Sequence, residues 1–176
     1  MASIPSGLMD DLLTLEYSQF EDVTLTAVDL DPASLAHARA NCERLGTPVQ
    51  VEFEQRDAWD LGSPGRWDLV TSNGLNIYID DDVRCVDFYR SIAAALRPHG
   101  FFIMSFITRP ETWQPSDVRD LELQRYLFRE VLPVKWQCVR DENLTRAQLS
   151  EAGFEVLQVE YDQQRMFPSV VARKRS

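Results

Sequence analysis

Glycine is scarce in this chain, 7 of 176 residues, and nowhere does it form the G-x-G-x-x-G fingerprint of a dinucleotide site. That fingerprint belongs about twenty residues ahead of a strand-ending acid. Ahead of Asp29, which ends the apolar run VTLTAVD, the chain offers only Gly7. A nicotinamide-dependent oxidoreductase is thereby disfavoured. Cysteine is equally sparse. Cys42, Cys85 and Cys138 are scattered with no C-x-x-C pair, which argues against a disulfide framework or a zinc site and reads as buried free thiols. The two histidines, His37 in the polar part of a helix and His99 in a turn, do not read as general bases. No cluster has metal-ligand spacing, and no metal is expected. Long apolar runs are missing too: GFFIMSFI is far too short to span a bilayer, and residues 1 to 15 lack the basic start and apolar core of a signal peptide. A cytoplasmic location without a membrane partner is expected. Positive charge is the last deficit. With 18 Lys and Arg against 28 Asp and Glu, the formal net charge is −10, and the one basic cluster, ARKRS at the end, reads as a solvated tail. A phosphate-tracking face, and with it a nucleic-acid partner, is disfavoured.

What the chain does have is 44% hydrophobic residues and enough length for one domain over residues 1–176. Its opening, MASIPSGLMDDLL, predicts the tail of a strand, a Pro-Ser-Gly turn and an amphipathic helix on Leu8, Leu12 and Leu15. The first central strand is then largely missing, and the chain is expected to be a shortened form whose open sheet edges invite self-association. VTLTAVD is a strand. Asp31 and Pro32 suit the cap and first position of a helix on Leu35, Ala38, Cys42 and Leu45, which Gly46 ends. Val49, Val51 and Phe53 alternate as a third strand, and RWDLVTSN is a fourth, broken by Asn73-Gly74. A helix from about Asp82 on Cys85, Phe88, Ile92 and Leu96 is predicted to end at Pro98-His99-Gly100, before the strand FFIMSFI. This alternation predicts an α/β fold: a Rossmann-like, mostly parallel sheet with helices on both faces. Residues 108 to 143, with Pro110, Pro115, Pro133 and a helical stretch in which Leu123, Leu127 and Val131 share a face, break the rhythm and predict a helical lid. Thr145 and Gln148 have capping-box spacing for a short helix that ends at Gly153, and FEVLQVEY and SVVARK predict a closing antiparallel hairpin.

Open α/β sheets bind ligands beyond the carboxyl ends of their strands, near a switch in strand order. The residues to read there are Pro5-Ser6-Gly7, Asp29, Asp57-Ala58 and Ser72-Asn73. An acid ending the second strand can accept two hydrogen bonds from a ribose diol. Asp29 fits that role, because Asp31 is better placed to cap the helix.

In LTAVDLDP, VEFEQRDAWDL, RWDLVTSNGL, FYRSIAAALRPHGFFIMSF and LSEAGFEVLQVEYD, the sequence resembles the class I S-adenosylmethionine-dependent methyltransferases over nearly its whole length except the insertion. The resemblance implies S-adenosylmethionine as cofactor. It implies that Asp29 holds the ribose hydroxyls, Leu30 packs on the adenine, Asp57 accepts from the adenine amino group and the Ala58 N–H meets the ring. Asn73 lies where the family contacts the amino-acid end of the cofactor, although Asn-Gly is also simply a good turn. The family usually carries an acidic, glycine-rich loop after its first strand; here SIPSG stands in its place, similar to a subset in which a Pro-x-Gly turn, with Ser6 and Gly7, faces the cofactor's carboxylate.

The function so implied is methyl transfer to a small molecule. Asn76 and Tyr78, with Trp113, Tyr126 and Trp136 from the insertion, are the substrate-side candidates, each also readable as core or lid packing. The fourth-strand motif lacks the Pro-Pro-aromatic signature of amine methylases. The rival from another class is a non-catalytic methyltransferase-like module that serves as a partner surface.

Overall fold

The computed structural model describes residues 1–115, 117–131 and 138–176. The apolar β-branched runs are strands and the capped amphipathic stretches are helices. In chain order they are β1 (Ala2–Ser3), α1 (Asp10–Leu13), β2 (Thr24–Asp29), α2 (Pro32–Leu45), β3 (Gln50–Gln55), β4 (Trp67–Ser72), a 3-10 turn (Leu75–Tyr78) and α3 (Asp82–Ala95). Then follow β5 (Leu96–Ser105), a second 3-10 turn (Pro110–Thr112), α4 (Val118–Tyr126) running into a π-type turn (Leu127–Val131), α5 (Glu142–Glu151), β6 (Phe154–Glu160) and β7 (Ser169–Lys174).

The strands form one sheet in the order β3-β2-β1-β4-β5-β7-β6. β1 through β5 run parallel, while β7 is antiparallel to both β5 and β6. This is the Rossmann-like sheet with a reversed terminal pair that the strand-helix alternation predicts. Its strand order reverses between β1 and β4, which sets the ligand crevice at their carboxyl ends. β1 is short: Ala2 pairs with Thr26 on one side and Val70 on the other, and Ser3 with Ala27 and Thr71. Around it Thr26 donates to the Met1 carbonyl, Ile4 to that of Thr71 and Ser6 to that of Val28, all between 2.8 and 2.9 Å. At the opposite, amino ends of the strands a cavity of ≈ 830 Å³ lies beside β2 and β4, lined by Tyr17, Phe20, Thr24, Trp67 and Leu69 among others.

The core between the sheet and α3 and α5 is aromatic. Trp59, Phe88, Tyr89, Phe102 and Phe154 stack in series with ring centroids 5.6, 5.6, 6.0 and 5.4 Å apart. Trp59 is partly buried; full burial of a side chain such as Phe88, Phe102 or Phe154 stabilises the fold by about 1.5–3 kcal/mol.

Three boundaries differ from the sequence expectation. α1 is one turn long, and Leu8 and Leu15 are exposed; the buried set is Met9, Leu12 and Leu13, because Met9 takes a left-handed conformation that turns the chain inward before the helix begins. α3 stops at Ala95, and Leu96 to Gly100 already belong to β5. A register shift against β4 between Trp67 and Leu69 and a positive φ at His99 absorb the turn residues into the strand. Gly100 is needed there, since a Cβ would lie 3.0 Å from the Arg97 carbonyl oxygen and 3.1 Å from that of Asp68. α5 begins at Glu142, capped by Asp141, whose carboxylate accepts from Leu144 N at 2.8 Å; Thr145 sits inside the helix and returns its hydroxyl to the Asp141 carbonyl. In the insertion, Leu123, Leu127 and Val131 are all exposed.

Candidate functional site

Over the carboxyl ends of β1, β2 and β4 lies a cleft of ≈ 640 Å³. The loop after β1 forms one wall with Pro5, Ser6 and Gly7, and the turn after β4 forms the other with Asn73, Gly74, Leu75 and Tyr78. Its floor holds Ser3, Asp11 and Asp29, with Asp10 at the rim. Among the described residues, no lysine, arginine or histidine lines it, so its charged groups are three carboxylates.

Asp29 ends β2 and is 9% exposed. One carboxylate oxygen accepts from the Gly7 N–H at 3.2 Å and the other from the Asp31 N–H at 3.0 Å. Asp31 in turn caps α2, accepting from Ala33 N at 2.9 Å. Asp31 closes the helix as the sequence predicts, but Asp29 also has a structural duty, since its carboxylate ties the β1 loop to the start of α2; it lines the cleft as well. The Gly7 N–H is committed to this contact. Ser6 is 5% exposed, and its hydroxyl, like that of Ser72, has no hydrogen-bond partner among the described residues. A buried hydroxyl left without a partner costs about 1–3 kcal/mol, so the Ser6 hydroxyl has hydrogen-bonding capacity to spare beside the cleft.

The other candidates are distributed as follows. Asn73 lines the cleft, and its side-chain Oδ1 accepts from the Ser105 hydroxyl at 2.9 Å. Leu30 is exposed just beyond Asp29; its carbonyl accepts from Gln55 Nε2 at 3.2 Å, and Arg56 N donates to the Asp29 carbonyl, which lays the loop after β3 beside that of β2. On that loop Asp57 is exposed and accepts from Trp59 N at 3.0 Å, while Ala58 is half-buried against the core and its carbonyl accepts from the Ser91 hydroxyl at 2.6 Å. Neither Leu30, Asp57 nor Ala58 lines the cleft itself. Tyr78 lines it and is exposed. Asn76, in contrast, is 2% exposed and turned into the core toward Tyr89. Tyr126 is exposed on α4, away from the cleft lining. Trp113 donates its indole N–H to Thr108, and Trp136 lies outside the described residues.

Sequence reasoning missed three residues that shape this region. Asn41 on α2 is buried and donates to the Leu8 carbonyl and to Asp10, both at 2.8 Å, fixing the loop between β1 and α1. Asp11 accepts from the Ser3 hydroxyl on β1 and from the Thr71 hydroxyl on β4. Arg140, 3% exposed, donates to the Asn76 carbonyl at 2.7 Å, the Ile79 carbonyl at 2.8 Å and Asp82 at 2.9 Å, and so fastens the turn after β4. A polar residue among the apolar positions of a helix was the one available signal, and only for Asn41. Beneath the turn, burial pushes the Tyr89 hydroxyl well above its ordinary range and the Cys85 thiol upward as well. Both stay protonated at neutral pH, which removes them as nucleophiles or bases.

A central strand-order switch, an acid closing β2 and a reversed terminal pair together define the class I methyltransferase architecture. Residues 12–100 match the profile of a methyltransferase domain family, and the chain belongs to that family. A possible exported protein from Bordetella parapertussis superposes with a TM-score of 0.89 at 39% identity, over 99% of this chain and 61% of that one. Magnesium protoporphyrin IX methyltransferase from Synechocystis, solved with bound S-adenosylhomocysteine, superposes with a TM-score of 0.69 at 17% identity, over 99% of this chain and 73% of that one. An uncharacterized protein of Synechococcus sp. is 28% identical over 97 residues, 53% of this chain and 22% of its own length. The chain thus spans about three fifths of the Bordetella protein and less than a quarter of the Synechococcus one.

Proposed function

We propose that this chain binds S-adenosylmethionine in the cleft over β1, β2 and β4 and transfers its methyl group to a small-molecule acceptor. One observation carries the reading: a nucleoside-sized cleft whose charged lining is Asp10, Asp11 and Asp29, with no basic side chain among the described residues. Such a field favours a cationic sulfonium and disfavours the pyrophosphate of a dinucleotide. These carboxylates do not form a metal cage, since no three or more His, Cys, Asp or Glu among the described residues are grouped to hold an ion.

When bound, the cofactor supplies a methyl group activated by its positive sulfur. The protein's own work is alignment and exclusion of water. Asp29, held from two sides by backbone N–H groups, accepts from the ribose hydroxyls. Leu30, Asp57 and the Ala58 N–H, on the neighbouring loops, serve the adenine. Ser6 and Asn73 serve the amino-acid end, and Gly7 holds Asp29 in place. The acceptor enters past Tyr78, with the insertion proposed as its lid, Tyr126 among its described residues and Trp136 outside them; Asn76 supports this wall through its backbone. No helix among the described residues is long and apolar enough to cross a membrane; a cytoplasmic site of action is part of this proposal.

Calorimetry with S-adenosylhomocysteine and NADH tests the reading. The chain should bind the first and not the second, and Asp29→Asn should weaken the first by roughly ten- to hundredfold with the fold intact. A folded protein that binds no S-adenosylhomocysteine would leave the non-catalytic module in its place.

A further inference from the structure

The strand-end position that faces the switch point is occupied in β1 by Ser3, a neutral residue. The structure brings a carboxylate to it from another element. Asp11, the second residue of α1, accepts from the Ser3 hydroxyl at 3.1 and 3.0 Å and from the Thr71 hydroxyl, so the two central strands hold one carboxylate at the floor of the cleft. Two hydroxyl donors use only part of its capacity, since a carboxylate offers about four acceptor sites. Beside it on the same cleft, Ser6 is 5% exposed and its buried hydroxyl has no hydrogen-bond partner among the described residues. A fixed anion next to a free hydroxyl, with no basic side chain on the lining, is suited to a primary ammonium, which brings three donors and a positive charge.

We infer that Asp11 is the specificity-determining group for the amino-acid end of the cofactor, accepting its α-ammonium, with the Ser6 hydroxyl completing the pocket. This rests on the cofactor reading given above. Asp29 holds the nucleoside and Asp11 the amino acid, so the two carboxylates divide the ligand between them. The pairing also explains why Ser3 and Thr71, both on buried strand ends, carry hydroxyls: each aims Asp11 and neither needs to touch the ligand.

The test separates the two ends of the ligand. Calorimetric affinities of S-adenosylhomocysteine, its deamino analogue and 5′-methylthioadenosine are measured for the wild type, Asp11→Asn and Asp29→Asn. In the wild type, removal of the amino group should cost tenfold or more. In Asp11→Asn, S-adenosylhomocysteine should weaken by tenfold or more while methylthioadenosine changes by less than about twofold; in Asp29→Asn both should weaken together. Equal losses for both ligands in Asp11→Asn would mean that the residue only shapes the loop, and the inference fails. It fails also if the wild type binds the deamino analogue as well as S-adenosylhomocysteine, a result obtained without any variant. A wild type that binds S-adenosylhomocysteine but fails these arms leaves the cofactor reading standing, whereas one that binds neither S-adenosylhomocysteine nor methylthioadenosine removes both.

Discussion

At the scale of single residues, the polar groups beneath the turn after β4 make the fold sensitive to alkali. Burial raises the folded-state pKa of the Tyr89 hydroxyl above its ordinary value of 10.0, with Cys85 adding in the same direction. The protonated form is the one the core accepts. The stability it contributes is therefore fully present below about pH 10 and is lost as pH rises above that value, because the unfolded chain releases the proton first. Cys85 acts likewise from its own ordinary value of 9.0. The thermal midpoint should fall between about pH 9.5 and 11 by more in the wild type than in Tyr89→Phe. Parallel curves for the two proteins would show that Tyr89 ionises without unfolding the core.

At the scale of elements, Arg140 joins parts that are far apart in sequence. It leaves the insertion, crosses to the 3-10 turn on the cleft wall and meets the first turn of α3, while its own N–H donates to the Ile107 carbonyl at 3.0 Å. Arg140→Met would leave the buried Asn76 and Ile79 carbonyls without these donors, a cost of about 2 to 4 kcal/mol. Because Asp82 is largely exposed and keeps a bond from Gln148, the lost ion pair itself adds little. Urea unfolding measures the difference; Arg140→Lys, with one nitrogen in place of a fork, should recover only part of it. Elements of this kind mark the boundary of what the sequence alone discloses. α2 was legible from end to end, since Asp31, Pro32 and Gly46 act on their immediate neighbours. The strand ends were legible because an acid or an Asn-Gly pair stops an apolar run locally. Asp11, Asn41 and Arg140 were not, because each takes its meaning from partners 8 to 64 positions away that only the folded sheet brings near. The leucines of α1 misled for the same reason: their spacing was helical, yet the left-handed turn at Met9 chose a different face.

At the scale of the whole molecule, the sheet consists of two paired blocks, β3-β2 and β4-β5-β7-β6, with β1 between them. The amino-end cavity lies between the blocks, which are joined by the backbone bonds of residues 1 to 6 and by the side-chain bonds of Trp67 to Thr26 and Arg66 to Glu54. β1 leads directly into the loop that walls the cleft. Whatever occupies the cleft therefore clamps the same seam that holds the halves of the sheet. In the language of hydrogen exchange, the amides of Ile4, Ser6 and Thr26 should report occupancy of a site that only Ser6 among these residues lines. If the seam must close for a ligand to bind, S-adenosylhomocysteine at 100 times its Kd should slow their exchange by about 100-fold, with amides on β6, remote from the seam, slowed less. Unaltered exchange at all three would mean that the seam breathes independently of the cleft. Slowed exchange would mean that this protein spends ligand affinity on keeping its sheet in one piece, so that a weak binder and a loosely joined sheet are the same phenotype.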